Sequence, residues 1–126
     1  MVGFLTLLLL LPVAVRYWTK RRKPAISWTL TGVAFGAVIS PVSLGLYATY
    51  FLGPFFVVTG MLGLLSTLFH GAPGYYLCVW SGLVKTGVVS DSGNLGVEAV
   101  NGLLWGLVYG GVGAVFDRFG ALRPAL

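Results

Sequence analysis

The sequence predicts an all-α integral membrane protein with four transmembrane helices and a short interfacial amphipathic helix, with a fifth crossing if that last segment spans. Three observations predict it. Residues 24–84 run 61 positions without one Asp, Glu, Lys or Arg, and about 20 apolar residues suffice for one crossing. The chain of 126 residues is 57% hydrophobic and only 9% charged, against roughly 25% charged in soluble domains. Its mean hydropathy is +0.92. At this length no separate soluble domain fits beside the spans, so residues 1–126 read as one membrane-embedded domain.

The first span is expected over 2–18. Its Leu-rich run could serve as a secretory h-region, but no Lys or Arg precedes it and no small-x-small cleavage site follows. The basic residues come after it: Arg16, Lys20, Arg21, Arg22 and Lys23 hold five of the eight positive charges. By the positive-inside rule a cytoplasmic loop at 16–24 follows, with the N-terminus outside. The expected location is a bacterial inner membrane or an equivalent organelle membrane. The same five residues would contact anionic lipid headgroups, at about 1 kcal/mol each. The net charge of +5 is no nucleic-acid signature, because no binding fold or aromatic platform accompanies it. Pro12 inside this span hints that the helix packs against protein, where neighbours can satisfy a freed carbonyl.

The second span, 25–46, starts after Pro24, carries Trp28 at its interface and is expected to kink at Pro41. Tyr47, Tyr50 and Phe51 before Gly53-Pro54 mark the opposite interface and a turn. The third span, 55–69, ends in His70-Gly71-Ala72-Pro73-Gly74, a strong helix breaker. Over 75–89, Gly74, Cys78, Ser81, Gly82 and Lys85 share one helical face and Tyr76, Val79, Trp80, Leu83 and Val84 the other. That pattern predicts a helix lying in the interface. Charge placement argues the other way, because Arg118 and Arg123 reach the cytoplasm only if this segment crosses. The loop at 90–94 precedes the last span, 95–116, with Asn94 as its cap and Glu98 in its first turn.

Two small-residue stripes carry the interaction signal. Gly102, Gly106, Gly110 and Ala114 recur every four residues on the last span, and Gly32, Gly36 and Ser40 repeat the device on the second. Without side chains, backbones approach closely and dispersion holds the helices together. The stripes can face each other within one subunit or lie open to another copy or a larger partner. Glu98 and His70 are the candidates for ion coupling, since ionisable groups inside spans are functional suspects. Their plainer roles are a boundary charge near Asn101 and Lys85, and a cap on the carbonyls ending the third span.

No catalytic constellation is present. Cys78 stands alone, His70 has no ligand partner one turn away, and Asp91 and Asp117 lie about 39 Å apart along a helix. No metal, cofactor or enzymatic activity is expected. The reading that follows is a small structural or accessory subunit, or an assembly factor, of a larger membrane complex, acting by helix packing. The alternative is a homo-oligomeric transporter or channel using Glu98.

Overall fold

The computed structural model describes residues 2–85 and 91–121; the side chains of 2, 4, 91–94 and 121 fall outside that description, as does the expected position of Arg123. The described chain is helical throughout its main elements: α1 (Val2–Arg22), α2 (Ser27–Ala48), α3 (Val57–His70), α4 (Ala72–Trp80) and α5 (Asp91–Ala121). Three helical stretches are long and apolar enough to cross a membrane: Pro24–Leu52, Pro54–Trp80 and Leu95–Gly120.

The expected basic loop is mostly helix. α1 continues through Arg22, and only Lys23 separates it from a single 3-10 turn at Pro24–Ile26, closed by an Ile26 N–H to Lys23 carbonyl bond of 3.2 Å. Pro24 occupies the first position of that turn, where its missing N–H costs nothing. α1 and α2 form an antiparallel hairpin. Leu5 packs on Gly45 at one end, and Arg16 reaches Ser27 at the other. Pro41 lies within an α2 that runs unbroken from Ser27 to Ala48.

At the far end, two 3-10 turns, Thr49–Leu52 and Pro54–Phe56, flank Gly53. Gly53 has φ 131° and ψ 177°, a conformation open essentially to glycine alone. This reverses the chain into α3, which runs antiparallel to α2. A Cβ on Gly60 would strike Tyr50, one on Gly63 would strike the Leu46–Tyr47 backbone, and Ser66 meets Ser43.

α2 also packs along α5, again antiparallel. A Cβ on Gly32 would run into the Tyr109 carbonyl, one on Gly36 into the Trp105 carbonyl, and one on Gly113 into the Trp28 carbonyl. The contact closes with Asp117, whose carboxylate takes the Trp28 N–H at 2.9 Å, the Thr29 N–H at 2.8 Å and the Thr29 hydroxyl at 2.8 Å. These are the first amides of α2, which no side chain of α2 itself caps. The C-terminal end of α5 therefore sits with the N-terminal end of α2, beside the basic end of α1. Asp117, read from sequence as a boundary charge, is the cap of a neighbouring helix.

The segment between α2 and α5 differs most from expectation. α3 ends at His70, the first residue of the breaker, and helix resumes one residue later as α4. Gly71 keeps helical angles, its N–H bonds to the Thr67 carbonyl at 2.7 Å, and α4 starts at Ala72 with Pro73 in its first turn. α4 then passes beside the N-terminal part of α5, with Gly74 against Asn101 and Cys78 against Val97. It ends at Trp80 rather than near residue 89. Gly82 takes a left-handed φ of 76°, and Val84 folds back to bond the Cys78 carbonyl at 3.2 Å. The buried face Gly74–Cys78 packs on α5, so α4 is covered on one side by protein. α5 starts at Asp91, four residues ahead of the expected span, and absorbs most of the predicted 90–94 loop.

Burial runs opposite to a water-soluble protein. Thr19, Ser27, Ser40, Ser43 and Asn101 are at most 2% exposed, whereas Leu7, Leu62, Leu65, Leu103 and Leu107 face outward. With lipid as the solvent, leucine gains little by burial, and small or hydrogen-bonded residues take the interior.

Gly36→Ala should destabilise the fold by about 1–3 kcal/mol, because the added methyl must displace the Trp105 backbone. Gly111→Ala, with nothing within 4 Å of the new methyl, should be neutral or stabilising by up to about 1 kcal/mol through helix propensity. Unfolding of detergent-solubilised protein by SDS titration compares the two.

Candidate functional site

The joint between α3 and α4 is the most heavily hydrogen-bonded part of the interior. A proline at position 73 and a change of helix direction leave backbone groups without helical partners, and lipid offers none. α5 supplies them. Asn101, fully buried, accepts the Gly74 N–H on Oδ1 at 2.7 Å and donates from Nδ2 to the Gly71 carbonyl at 3.0 Å. One turn on, Trp105 donates Nε1–H to the His70 carbonyl at 2.8 Å. A further turn on, the Tyr109 hydroxyl meets His70 Nε2 at 2.9 Å. Asn101, Trp105 and Tyr109 are spaced four apart, so they form a polar ladder on one face of α5.

His70 extends this ladder towards α2. Its Nδ1 lies 3.1 Å from the Ser66 carbonyl and 3.2 Å from the Ser66 hydroxyl. A carbonyl can only accept, so Nδ1 of the neutral ring carries the proton, and Nε2 accepts from Tyr109. Ser43 donates to the Ile39 carbonyl at 2.6 Å and so accepts from Ser66, also at 2.6 Å. The donors therefore all point one way: Tyr109 to His70, His70 to Ser66, Ser66 to Ser43, Ser43 to Ile39. The chain ends on a backbone carbonyl, which passes no proton onward. Phe69 and Trp105 pack on the ring at 5.1 and 4.7 Å between centroids. The expected capping role is present in the Ser66 carbonyl contact, joined to a longer interhelical network that the sequence did not reveal.

Glu98 stands in a different setting. It lies at the end of a groove of about 560 Å³ on the outer face of α2 and α5, with Val33, Ala37, Gly102, Leu103 and Gly106. Its Oε2 is buried and has no hydrogen-bond partner among the described residues. The stripe widens here. A Cβ on Gly102 would lie a tight 3.3 Å from the Ala37 carbonyl and one on Gly106 an ordinary 3.6 Å from the Val33 carbonyl, neither of them the clash found at Gly32 and Gly36. Gly110 faces the Val33 side chain, Ser40 is buried in α2, and Ala114 is exposed, its expected place in the stripe taken by Gly113.

Of the five clustered basic residues only Arg16 is fixed inside the fold. Its guanidinium sits 3.7 Å over the Trp28 ring and donates to the Ser27 hydroxyl at 2.5 Å. Lys20, Arg21, Arg22 and Lys23 are exposed, with Arg21 turned over Tyr17. Among the described residues no group of three or more His, Cys, Asp or Glu side chains could hold a metal. Cys78 is buried against Val84 and Val97, as a small apolar filler would be.

The sequence marks Asn101 only as a neighbour of Glu98, and Trp105 and Tyr109 escape it, because their partners are backbone groups and one imidazole far along the chain. The four-residue spacing of polar-headed side chains beside the glycine stripe was the available signal. No family model matches this chain, and no curated protein or solved structure does either.

Asn101→Leu should cost about 2–6 kcal/mol, since it strands two buried backbone groups at about 1–3 kcal/mol each. Tyr109→Phe removes one donor and should cost only about 0.5–1.5 kcal/mol. Amide exchange at Gly74 distinguishes them, rising sharply in the first variant alone.

Proposed function

We propose that this chain is a small structural or accessory subunit, or an assembly factor, of a larger membrane-protein complex, and that it acts by packing against a partner's membrane helix. One observation carries the reading: the groove at Gly102 and Gly106 is lined by small and apolar residues and by Glu98, whose buried Oε2 has no donor among the described residues. In hydrocarbon a charged or polar group of that kind is costly until another helix supplies a partner. The tight part of the small-residue contact is consumed within the subunit, so the wider Glu98 end is the surface left for association.

In the topology that supports this role, α1, α2 and α5 cross and the α3–α4 pair enters and leaves from one side. α2 and α5 are antiparallel and meet end to end at Asp117, so whatever joins them must return to the side it left. The Pro54–Trp80 stretch has the length to cross, but α4 turns back along α5, with Gly74 on Asn101 and Cys78 on Val97. α3 alone, with 14 residues, rises about 21 Å, short of a ~30 Å core. The basic ends of α1 and α5 then share the cytoplasmic side and the N-terminus is outside. Single cysteines at Arg22 and Phe119 in a Cys78→Ser background should be blocked together by a membrane-impermeant thiol reagent added to inside-out vesicles. One at Phe55, exposed in the same reversal, should be blocked only from the opposite face. Labelling of positions 22 and 119 from different faces would refute this topology.

The second reading, a homo-oligomeric transporter or channel, draws on the same Glu98. The polar chain through His70 gives it no support, because that chain is saturated and ends on the Ile39 carbonyl. Native mass spectrometry of the protein drawn from its own membrane in mild detergent separates the readings. Foreign subunits at fixed stoichiometry, weakened by Glu98→Gln, are the expected result. A homo-oligomer alone would overturn it, and loss of ion flux in Glu98→Gln vesicles would establish the second reading.

A further inference from the structure

At the basic end of the bundle, two clefts meet. One, of about 390 Å³, is lined by Arg16, Lys20, Ser27, Trp28, Phe116 and Asp117. The other, of about 220 Å³, is almost wholly apolar and runs between α2 and α5 past Gly32, Phe35, Tyr109 and Val112. Trp28 and Phe116 wall both, with their ring centroids 6.0 Å apart. The first cleft sets the cations of Arg16 and Lys20 into a largely apolar lining, and the second, sharing its Trp28 and Phe116 walls, is a trough of hydrocarbon character.

The charges in the first cleft are not equivalent. Asp117 spends its two oxygens on three donors of α2, so it offers little to a cation in the cleft. Arg16 spends one donor on Ser27, and a guanidinium has five. Ser27 is itself held by Thr19 at 3.0 Å, and Thr19 by the Val15 carbonyl at 2.7 Å. The guanidinium is thereby fixed over Trp28 with donors left to present. Lys20, one turn further along α1, adds a mobile ammonium. The two cations outnumber the one committed carboxylate, and a basic site with a planar donor fork suits a phosphate.

We propose that these joined clefts bind one anionic phospholipid, with its headgroup phosphate between Arg16 and Lys20 and an acyl chain laid in the trough beside Gly32 and Val112. Only a ligand with both a phosphate and a hydrocarbon chain fills the two. A basic pocket between helix ends is the physical form that headgroup sites take in membranes. This narrows the general attraction of the basic cluster to a defined site: Arg21, Arg22 and Lys23 lie outside it. The site shares no residue with the Glu98 groove and stands whether or not a partner subunit binds there.

The test uses the full-length protein in nanodiscs of phosphatidylglycerol and phosphatidylcholine, followed by native mass spectrometry of the lipid it retains on release. One phosphatidylglycerol per chain is expected, in preference to phosphatidylcholine. The Arg16→Gln, Lys20→Gln pair should lower its retention about thirtyfold, at about 1 kcal/mol for each lost cation. Val112→Trp, which plugs the trough from an exposed position without touching the basic residues, should lower it as well. It guards against misfolding of the Arg16 variant. Arg21→Gln, Arg22→Gln and Lys23→Gln together should leave retention unchanged. Inorganic phosphate should fail to displace the lipid; full displacement would mean a site for free phosphate and overturn the assignment to lipid. Equal retention of the two lipids, or loss in the triple variant with retention in the Arg16, Lys20 pair, would also overturn it.

Discussion

The close approach of α2 and α5 governs the rest of this structure. Gly32, Gly36 and Gly113 leave no room for a side chain, so backbone meets backbone over several turns. In lipid, where burying leucine gains almost nothing, such contact is a main source of association between helices. Its antiparallel register is rigid, because each glycine must meet a carbonyl of the facing helix. That register places Asp117 on the open amides of α2 and brings Asn101, Trp105 and Tyr109 to the α3–α4 joint. The cap and the ladder are consequences of one helix contact.

The second constraint is backbone satisfaction. A helix that bends at Gly71 and Pro73 would be ruinous at membrane depth if its freed groups stayed unpaired. Two side chains of α5, Asn101 and Trp105, remove that cost, and His70, held by Tyr109, passes the ladder on to α2 through Ser66 and Ser43. The result is a polar seam that joins three helices. Each donor in it has an acceptor, which marks it as a bracing element. Glu98 differs in kind: its oxygen is buried at the end of a widening groove and has no donor among the described residues. The contrast between a saturated seam and an unsatisfied carboxylate directs the functional reading outward, towards a partner.

The basic end shows how much geometry changes a compositional feature. Five clustered cations look interchangeable along the chain. In the fold, Arg16 is locked between Ser27 and the Trp28 ring, Lys20 lines the same cleft, and Arg21, Arg22 and Lys23 lie outside it. Position on the last turns of α1, fixed by hairpin packing with α2, separates a placed guanidinium from a diffuse field.

Membrane character, helical class and the small-residue faces of α2 and α5 were determined by the sequence alone, because an unbroken charge-free run has few alternatives in water and glycine spacing is written directly in the chain. So was the need for Gly53 at the α2–α3 reversal. The direction of α5, the return of the chain through α3 and α4, and the replacement of Ala114 by Gly113 were decided by tertiary structure. Local breaker signals at His70–Gly74 predicted a helix end, and α3 ends there; hydrogen-bond partners more than 25 residues away let the chain turn and resume at once as α4. Periodicity describes which face of a helix is special. Only packing decides which helix it faces, and in a bilayer that choice falls to whichever neighbour can approach most closely and complete the backbone's hydrogen bonds.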